Sequence, residues 1–277
     1  MTIDDKYKLL AENLKKLGKV LVAYSGGVDS TFLLRVCVDT LGSENVLACI
    51  SIGPLLPKTQ LKQALELAKD MGVEVQTVDT NEIGDAAFFA NKPDRCFHCK
   101  STLFKLLNII AKERGFDYVL CGSNLDDYDD YRPGNKAVKV YNVKCPLAEA
   151  KLTKVEIREL SRKLNLPTAD VPASPCLASR ISYGGEITEQ KLNNIEQAED
   201  FLKDLGFVEF RVRLHDSCAR IEVHENDIEK VIENRKAITE KLKAIGFKFV
   251  AVDLQGFRSG SLNEILSQEE KQKNLNF

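Results

Sequence analysis

Residues Tyr24-Ser25-Gly26-Gly27-Val28-Asp29-Ser30 bring two glycines, two serine hydroxyls and a carboxylate into one short stretch. The aliphatic run before them reads as a buried strand, and the run DSTFLLRVCVDTLG after them reads as a helix. Glycines at such a turn let the backbone approach a ligand, and successive N–H groups at a helix N-terminus favour an anion. The stretch is therefore a candidate phosphate cradle. It has neither the spacing nor the lysine of a Walker A loop, and the GxGxxG dinucleotide pattern is absent. A plain strand-to-helix turn leaves the serines and the aspartate around the double glycine unexplained.

A second group is Asp94-Arg95-Cys96-Phe97-His98-Cys99-Lys100, a CxxC at the expected start of a helix. A further cysteine, Cys176, lies in DVPASPCLASRISYGGEIT, a segment rich in Pro, Ser and Gly that reads as a functional loop. Three thiolates fit an iron–sulfur cluster with one iron left open. Two other readings stay open. A CxxC at a helix start also suits a redox pair, because the helix N-terminus lowers a thiol pKa. Zinc wants a fourth ligand, and His98, between the two cysteines, is badly placed to be it. The other cysteines read plainly: Cys37 on an apolar helix face, Cys49 and Cys121 in strands, Cys145 and Cys218 isolated. Of these only Cys121 is of interest, since it ends a strand at the edge where α/β proteins bind ligands.

The elements that must position these groups follow from periodicity. Strands are expected at 17–25, 46–51, 73–80 and 116–122, alternating with helices at 29–42, 58–72 and 99–115. Such alternation predicts an α/β fold with a doubly wound parallel sheet. A further helix over 151–167 opens with Thr153 and Glu156, the spacing of a capping box. After residue 188 the order changes to helix 189–205, strands 207–215 and 219–224, helix 226–245 and strand 247–255, a smaller α+β unit. Two domains are expected, 1–184 and 185–277, with the polar last dozen residues fraying.

Composition narrows the function classes. The 277 residues are 44% hydrophobic and carry a net charge of −2. That is enough for a core, and it argues against a protein held to nucleic acid mainly through phosphates. No apolar run reaches the length of a membrane span, and MTIDDKYKLLAENLKKLGK is a polar helix pattern rather than a targeting segment. The expected location is cytoplasmic, where clustered cysteines serve metals or catalysis more than disulfides.

SGGVDS in its strand–loop–helix setting resembles the signature of the PP-loop ATP pyrophosphatases. Together with DDYDDYRPG (126–134), PASPCLASRISYG (172–184) and DLQGFRSGSLNE (253–264), it makes nearly the whole chain similar to the LarE type of ATP-dependent sulfur transferase. The resemblance implies that a carboxylate of pyridinium-3,5-biscarboxylic acid mononucleotide is adenylated, with release of pyrophosphate, and that sulfur then displaces AMP. It places Ser25, Gly26, Gly27, Asp29 and Ser30 on the ATP phosphates, with Asp29 a catalytic Mg²⁺ partner, and Ser51 and Gly122 beside the nucleotide. It places Ser179, Arg180, Arg211, Arg213 and Arg258 on the anionic substrate. It also implies a [4Fe–4S] cluster on Cys96, Cys99 and Cys176; in other members the cysteine equivalent to Cys176 gives up its own sulfur. A sulfide donor and a homo-oligomer, trimer or hexamer, are the implied partners. Arg132 is expected to orient its loop. Glu199, Glu222 and the Asp126–Asp130 cluster are read either as metal or pocket groups or as solvated carboxylates. Competing functions are tRNA thiolation, which lacks an evident RNA-binding domain here, amidation, which lacks a glutaminase, and a nucleotide or cluster sensor without turnover.

Overall fold

The computed structural model describes residues 1–81, 84–128, 131–172 and 175–275. Packing divides the chain into two units. The first comprises 1–82 and 94–174, and the second 83–93 and 175–277.

In the first unit α1 (Ile3–Lys15), β1 (Val20–Ala23), α2 (Val28–Leu41), β2 (Val46–Ile52), α3 (Lys58–Asp70) and β3 (Glu74–Asp79) follow in order. The second unit's short helix α4 (Ala86–Phe89) intervenes. The first unit then resumes with α5 (Arg95–Arg114), β4 (Tyr118–Cys121), α6 (Asn135–Val140), α7 (Pro146–Glu149) and α8 (Lys154–Lys163). The four strands form a parallel sheet in the order β3-β2-β1-β4, with Val20 opposite both Val46 and Tyr118. Side chains alternate along a strand. Accordingly Val20 and Val22 join a core with residues of α1, α2, α3 and α8, while Leu21 joins another with residues of α5 and α6. The sheet is covered on both faces, so the expected α/β class holds. β1 sits in the middle, and its C-terminal end delivers the glycine loop.

The second unit has α9 (Glu189–Asp204), β5 (Phe210–His215), β6 (Cys218–Val223), α10 (Ile228–Glu233), α11 (Arg235–Ile245), β7 (Phe249–Val252) and α12 (Gln268–Leu275). Its sheet, β5-β6-β7, is mixed: β5 and β6 are antiparallel, β6 and β7 parallel. Residues 83–93 belong here because Asn91, fully buried at a positive φ of 49°, donates to the carbonyls of Ser182 and Gly185 at 2.8 and 2.9 Å. Its own carbonyl accepts from the Gly184 N–H at 3.0 Å. The packing division thus falls earlier than the expected 184/185 and captures a segment remote in sequence.

Several elements differ from their sequence reading. The helix expected from Cys99 starts at Arg95, since no Gly or Pro interrupts 94–114 and Pro93 stands just outside. The helix read over 226–245 breaks at Asn234, whose side-chain amide donates to the Lys230 carbonyl at 2.8 Å. The polar tail is helical over 268–275, opened by Ser267 and Glu270 in reciprocal bonds of 3.1 and 2.8 Å. α4, α6 and α7 span four to six residues, too few for a period to show. Among the described residues no helix is long and apolar enough to cross a membrane.

The capping box of α8 forms as expected. Thr153 Oγ1 accepts from the Glu156 N–H at 3.3 Å, and Glu156 accepts from the Thr153 N–H at 2.9 Å while also taking Lys6 of α1 at 2.6 Å. Thr153→Ala is expected to lower the unfolding free energy by about 1 kcal/mol. Urea denaturation checks this, with Thr153→Ser retaining most of the stability.

Candidate functional site

β1 ends at Ala23, but Tyr24 continues its pairing through an N–H bond to the Cys49 carbonyl at 2.8 Å. Its ring is buried, and its hydroxyl donates to the Ala64 carbonyl on α3 at 3.1 Å. Gly26 then turns at φ +73°, and a Cβ there would lie 2.5 Å from that of Ala64. No residue but glycine fits both demands. Gly27 occupies the N-cap of α2 without any side-chain cap, so the first-turn N–H groups of that helix face the loop. The loop is braced from inside: the Ser25 N–H donates to Ser30 Oγ at 3.2 Å, and Ser30 Oγ donates to the Gly27 carbonyl at 3.1 Å. Gln60 donates to the Ser25 carbonyl at 2.9 Å. Gly122, directly after β4, closes the other side: a Cβ on it would stand 2.9 Å from the Ser30 nitrogen. Ser25, Gly26, Gly27, Asp29, Ser30 and Gly122 are thus brought together as a glycine-walled anion cradle that suits polyphosphate. Ser51 lies within β2, where its hydroxyl meets Thr80 Oγ1 at 3.0 Å.

Asp29, in the first turn of α2, is ion-paired with Lys154, and Asn124 donates to it at 3.4 Å. No motif marked Lys154 or Gln60. The one sequence clue to Lys154 was its place beside the capping Thr153. Its N–H donates to Oδ2 of the exposed Asp126 at 2.8 Å, so Asp126 takes up a first-turn N–H of α8. Asp127 is buried, accepts from the Asn124 N–H at 3.0 Å and pairs with Arg132 at 2.6 Å. Arg132 orients its loop as expected. Asp129 and Asp130 lie outside the described residues.

Cys96 and Cys99 lie one helical turn apart near the start of α5, both half-buried thiols. His98 is drawn to Asp94 at 3.4 Å. Cys176 is a half-buried thiol in the second unit, at the N-cap of a short 3-10 turn, Leu177–Arg180. Within either unit, among the described residues, no three His, Cys, Asp or Glu side chains are grouped as a metal site. Cys37 and Cys49 are core residues, and burial pushes the Cys49 thiol up to about 12. Cys145 corrects its reading. It is not isolated, because Lys144 pairs with Leu120 of β4 and so brings Cys145 Sγ to 3.2 Å from Cys121 Sγ.

In the second unit Arg180 is 1% exposed and grips Glu199 with two bonds of 2.9 Å. It also donates to the Pro175 carbonyl at 2.6 Å and to Ser179 Oγ at 3.0 Å, which pins the Cys176 loop. Arg213 bonds Glu222 at 3.0 Å, the Ser179 carbonyl at 2.7 Å and Ser261 Oγ at 2.9 Å. Arg211, two residues away on the same face of β5, lies over the Phe257 ring at 5.0 Å. Burial, and then the neighbouring Arg180 charge, lower its pKa to about 10. Glu199 and Glu222 are therefore not solvated: Glu222 is fully buried and also takes Arg220 at 2.7 Å. Arg258 stands at the rim, forked onto Glu264 at 3.1 Å. The cluster holds more guanidinium than carboxylate, a balance that favours an anionic ligand.

A parallel sheet, a glycine loop at the end of its central strand and an uncapped helix start define a PP-loop nucleotide-binding protein. Residues 2–122 match the NAD synthase family. The chain is 38% identical to an uncharacterised protein of Synechocystis, over 96% of this chain and all of that one. It is 35% identical to the pyridinium-3,5-bisthiocarboxylic acid mononucleotide synthase of Lactiplantibacillus plantarum, over 97% of this chain and 98% of the relative. An NH(3)-dependent NAD(+) synthetase of Fusobacterium nucleatum is 28% identical over 67% of this chain and 71% of its own. The chain belongs to the LarE family of ATP-dependent sulfur transferases, and it is an ATP-using enzyme.

Two outcomes follow from the geometry. Lys154→Met removes the cation facing Asp29 at the mouth of the cradle, and should weaken ATP binding about tenfold, equivalent to about 1.4 kcal/mol. Calorimetry with ATP reads this, with Lys154→Arg the milder variant. Glu222→Gln leaves Arg213 buried without its counter-charge and should destabilise the protein by about 3 kcal/mol in chemical denaturation. By comparison, Arg258→Ala, at a half-exposed ion pair, should cost under about 1 kcal/mol.

Proposed function

We propose that this chain adenylates a carboxylate of pyridinium-3,5-biscarboxylic acid mononucleotide and replaces the AMP with sulfur to give a thiocarboxylate. The observation that carries this reading is the end-to-end similarity to a relative named for the bisthiocarboxylic acid product, together with the glycine cradle at β1. The chemistry needs both. A carboxylate oxygen is a poor leaving group. Attack of the ionised carboxylate on the α-phosphorus of ATP expels pyrophosphate and leaves a mixed anhydride, from which a soft sulfur nucleophile displaces AMP. The attacking carboxylate carries no proton to remove, so no histidine base is required.

In this reading Ser25, Gly26, Gly27 and Ser30 hold the ATP phosphates against the N-terminus of α2. Asp29 takes Mg²⁺, Lys154 answers the phosphate charge, and Ser51 and Gly122 border the nucleotide. Ser179, Arg211, Arg213 and Arg258 bind the substrate's phosphate and carboxylates, and Arg180 holds the Cys176 loop in shape. The second unit serves substrate binding and self-association into a trimer or hexamer. The protein works in the cytoplasm with a sulfide donor.

Cys96 and Cys99 suit two ligands of a [4Fe–4S] cluster, being half-buried thiols one helical turn apart, and Cys176 is assigned as the third. Such a cluster supplies an open iron on which sulfide can be held for transfer. Without one, Cys176 is the sulfur donor itself.

Anaerobic purification with iron and acid-labile sulfide analysis tests the ligand set. About four irons and four sulfides per chain are expected, lost in Cys96→Ala. Absence of iron in both proteins, with Cys176 losing its sulfur by mass after one turnover, overturns the cluster. Pyrophosphate release tests the substrate: it should require the pyridinium dicarboxylate nucleotide, and dependence on tRNA instead overturns that assignment.

A further inference from the structure

The first unit contains a pair of thiols that sulfur transfer does not use. Cys121 is the last residue of β4, and its N–H donates to the Lys144 carbonyl at 2.9 Å. Lys144 pairs in parallel with Leu120, so Cys145 is the next residue alongside Cys121. Neighbouring strands run about 4.8 Å apart, within the Cα separation of about 4.4–6.8 Å that a disulfide accepts. Both side chains enter the same apolar cluster, and their sulfurs already stand 3.2 Å apart. Both thiols are buried, and Cys145 is the one that reaches the surface. Cys145, with Tyr128, Lys139 and Glu149, lines a surface depression of about 370 Å³. The two thiols are also unequal: the hydrogen bond between them, with help from the Lys100 charge, lowers the Cys121 thiol against burial. The same bond, with burial, pushes Cys145 up.

We propose that Cys121 and Cys145 are an oxidation site that closes reversibly to a disulfide and thereby weakens ATP binding at the glycine loop. The coupling runs through Gly122. It follows Cys121 directly and packs so tightly on the first turn of α2 that a Cβ would lie 2.9 Å from the Ser30 nitrogen and 3.1 Å from the Asp29 carbonyl carbon. To form the bond the sulfurs must approach to about 2.05 Å, and the resulting shift of Cys121 passes through Gly122 to the phosphate cradle. With hydrogen peroxide as oxidant, the Cys121 thiolate attacks one oxygen and the O–O bond breaks. The departing hydroxide takes up a proton as water, leaving a sulfenic acid. The Cys145 sulfur then attacks the Cys121 sulfur, the S–O bond breaks, and the leaving hydroxide takes the Cys145 proton as a second water. Two thiols lose two protons and two electrons, and one peroxide becomes two waters. A dithiol reductant reverses the change by exchange.

The test treats anaerobically isolated protein with hydrogen peroxide, alkylates it and maps its peptides, while ATP affinity is followed by calorimetry. The expected result is a peptide cross-linked between Cys121 and Cys145, lighter by two hydrogens. ATP affinity should fall about tenfold, within the usual range of coupling between sites, and dithiothreitol should restore it. Cys145→Ser should bind ATP as the reduced wild type does and keep that affinity after peroxide; Cys145→Ala replaces it should the serine variant fail to fold. The proposal is overturned by the absence of the cross-linked peptide, by a disulfide that leaves ATP affinity unchanged, or by an equal loss in the Cys145 variant. The last outcome assigns the effect to other cysteines. Because the readouts are a cross-link and ATP binding, the result does not depend on the identity of the sulfur acceptor.

Discussion

Helix α2 has Gly27 as its N-cap and no side chain to cap it, and much of the first unit is arranged around that bare end. The first turn of any helix carries N–H groups that its own carbonyls cannot reach, and they add to the positive end of the macrodipole. At α8 the Thr153 side chain covers one of these groups. At α2 the chain instead supplies glycines. Gly26 allows the turn, and Gly122 lets β4 come within contact of Ser30. Tyr24 and Gln60 fasten the loop to α3 so that the N–H groups keep their direction. A loop held this way is ordered without a ligand, so an anion that binds it spends less binding energy on ordering it.

Asp29 introduces a conflict into that positive end. A carboxylate in the first turn suits the helix dipole, yet it would repel a polyphosphate. Lys154 resolves the conflict from a separate element, and it is aimed by two features of its own helix: Thr153 caps α8, and Asp126 accepts from the Lys154 N–H. A stable helix start thus serves as the mount for the cation that faces Asp29. The acidic loop around Asp126 and Asp127 acts as scaffold, with Arg132 closing it.

The second unit is built on an opposite principle. Arg180, Arg211 and Arg213 are buried, an arrangement that stands only because Glu199, Glu222 and several carbonyls share the charge. Buried ion pairs add little net stability, since desolvation offsets much of the attraction, but losing one partner is costly. What such a network provides is geometry. Arg180 and Arg213 both hold the backbone of the loop carrying Cys176 and Ser179, and so fix where that loop can go.

Much was legible from local signals. The SGGVDS loop, the alternation of strands and helices and the Thr153–Glu156 cap each depend on residues close in sequence, where period and stereochemistry act directly. Chain order did not reveal that residues 83–93 fold with the second unit, because one buried amide, Asn91, decides it across some ninety positions. Nor did it reveal Lys154 facing Asp29, Glu222 buried among arginines, or Cys145 beside Cys121. By itself the sequence determined the class of fold, the place of the glycine loop and the family, since these rest on short patterns that tolerate little change. Only the tertiary structure decided which charges are paired, which thiols meet and which carboxylates are scaffold. Those depend on distances between residues far apart in the chain, and no local period encodes them.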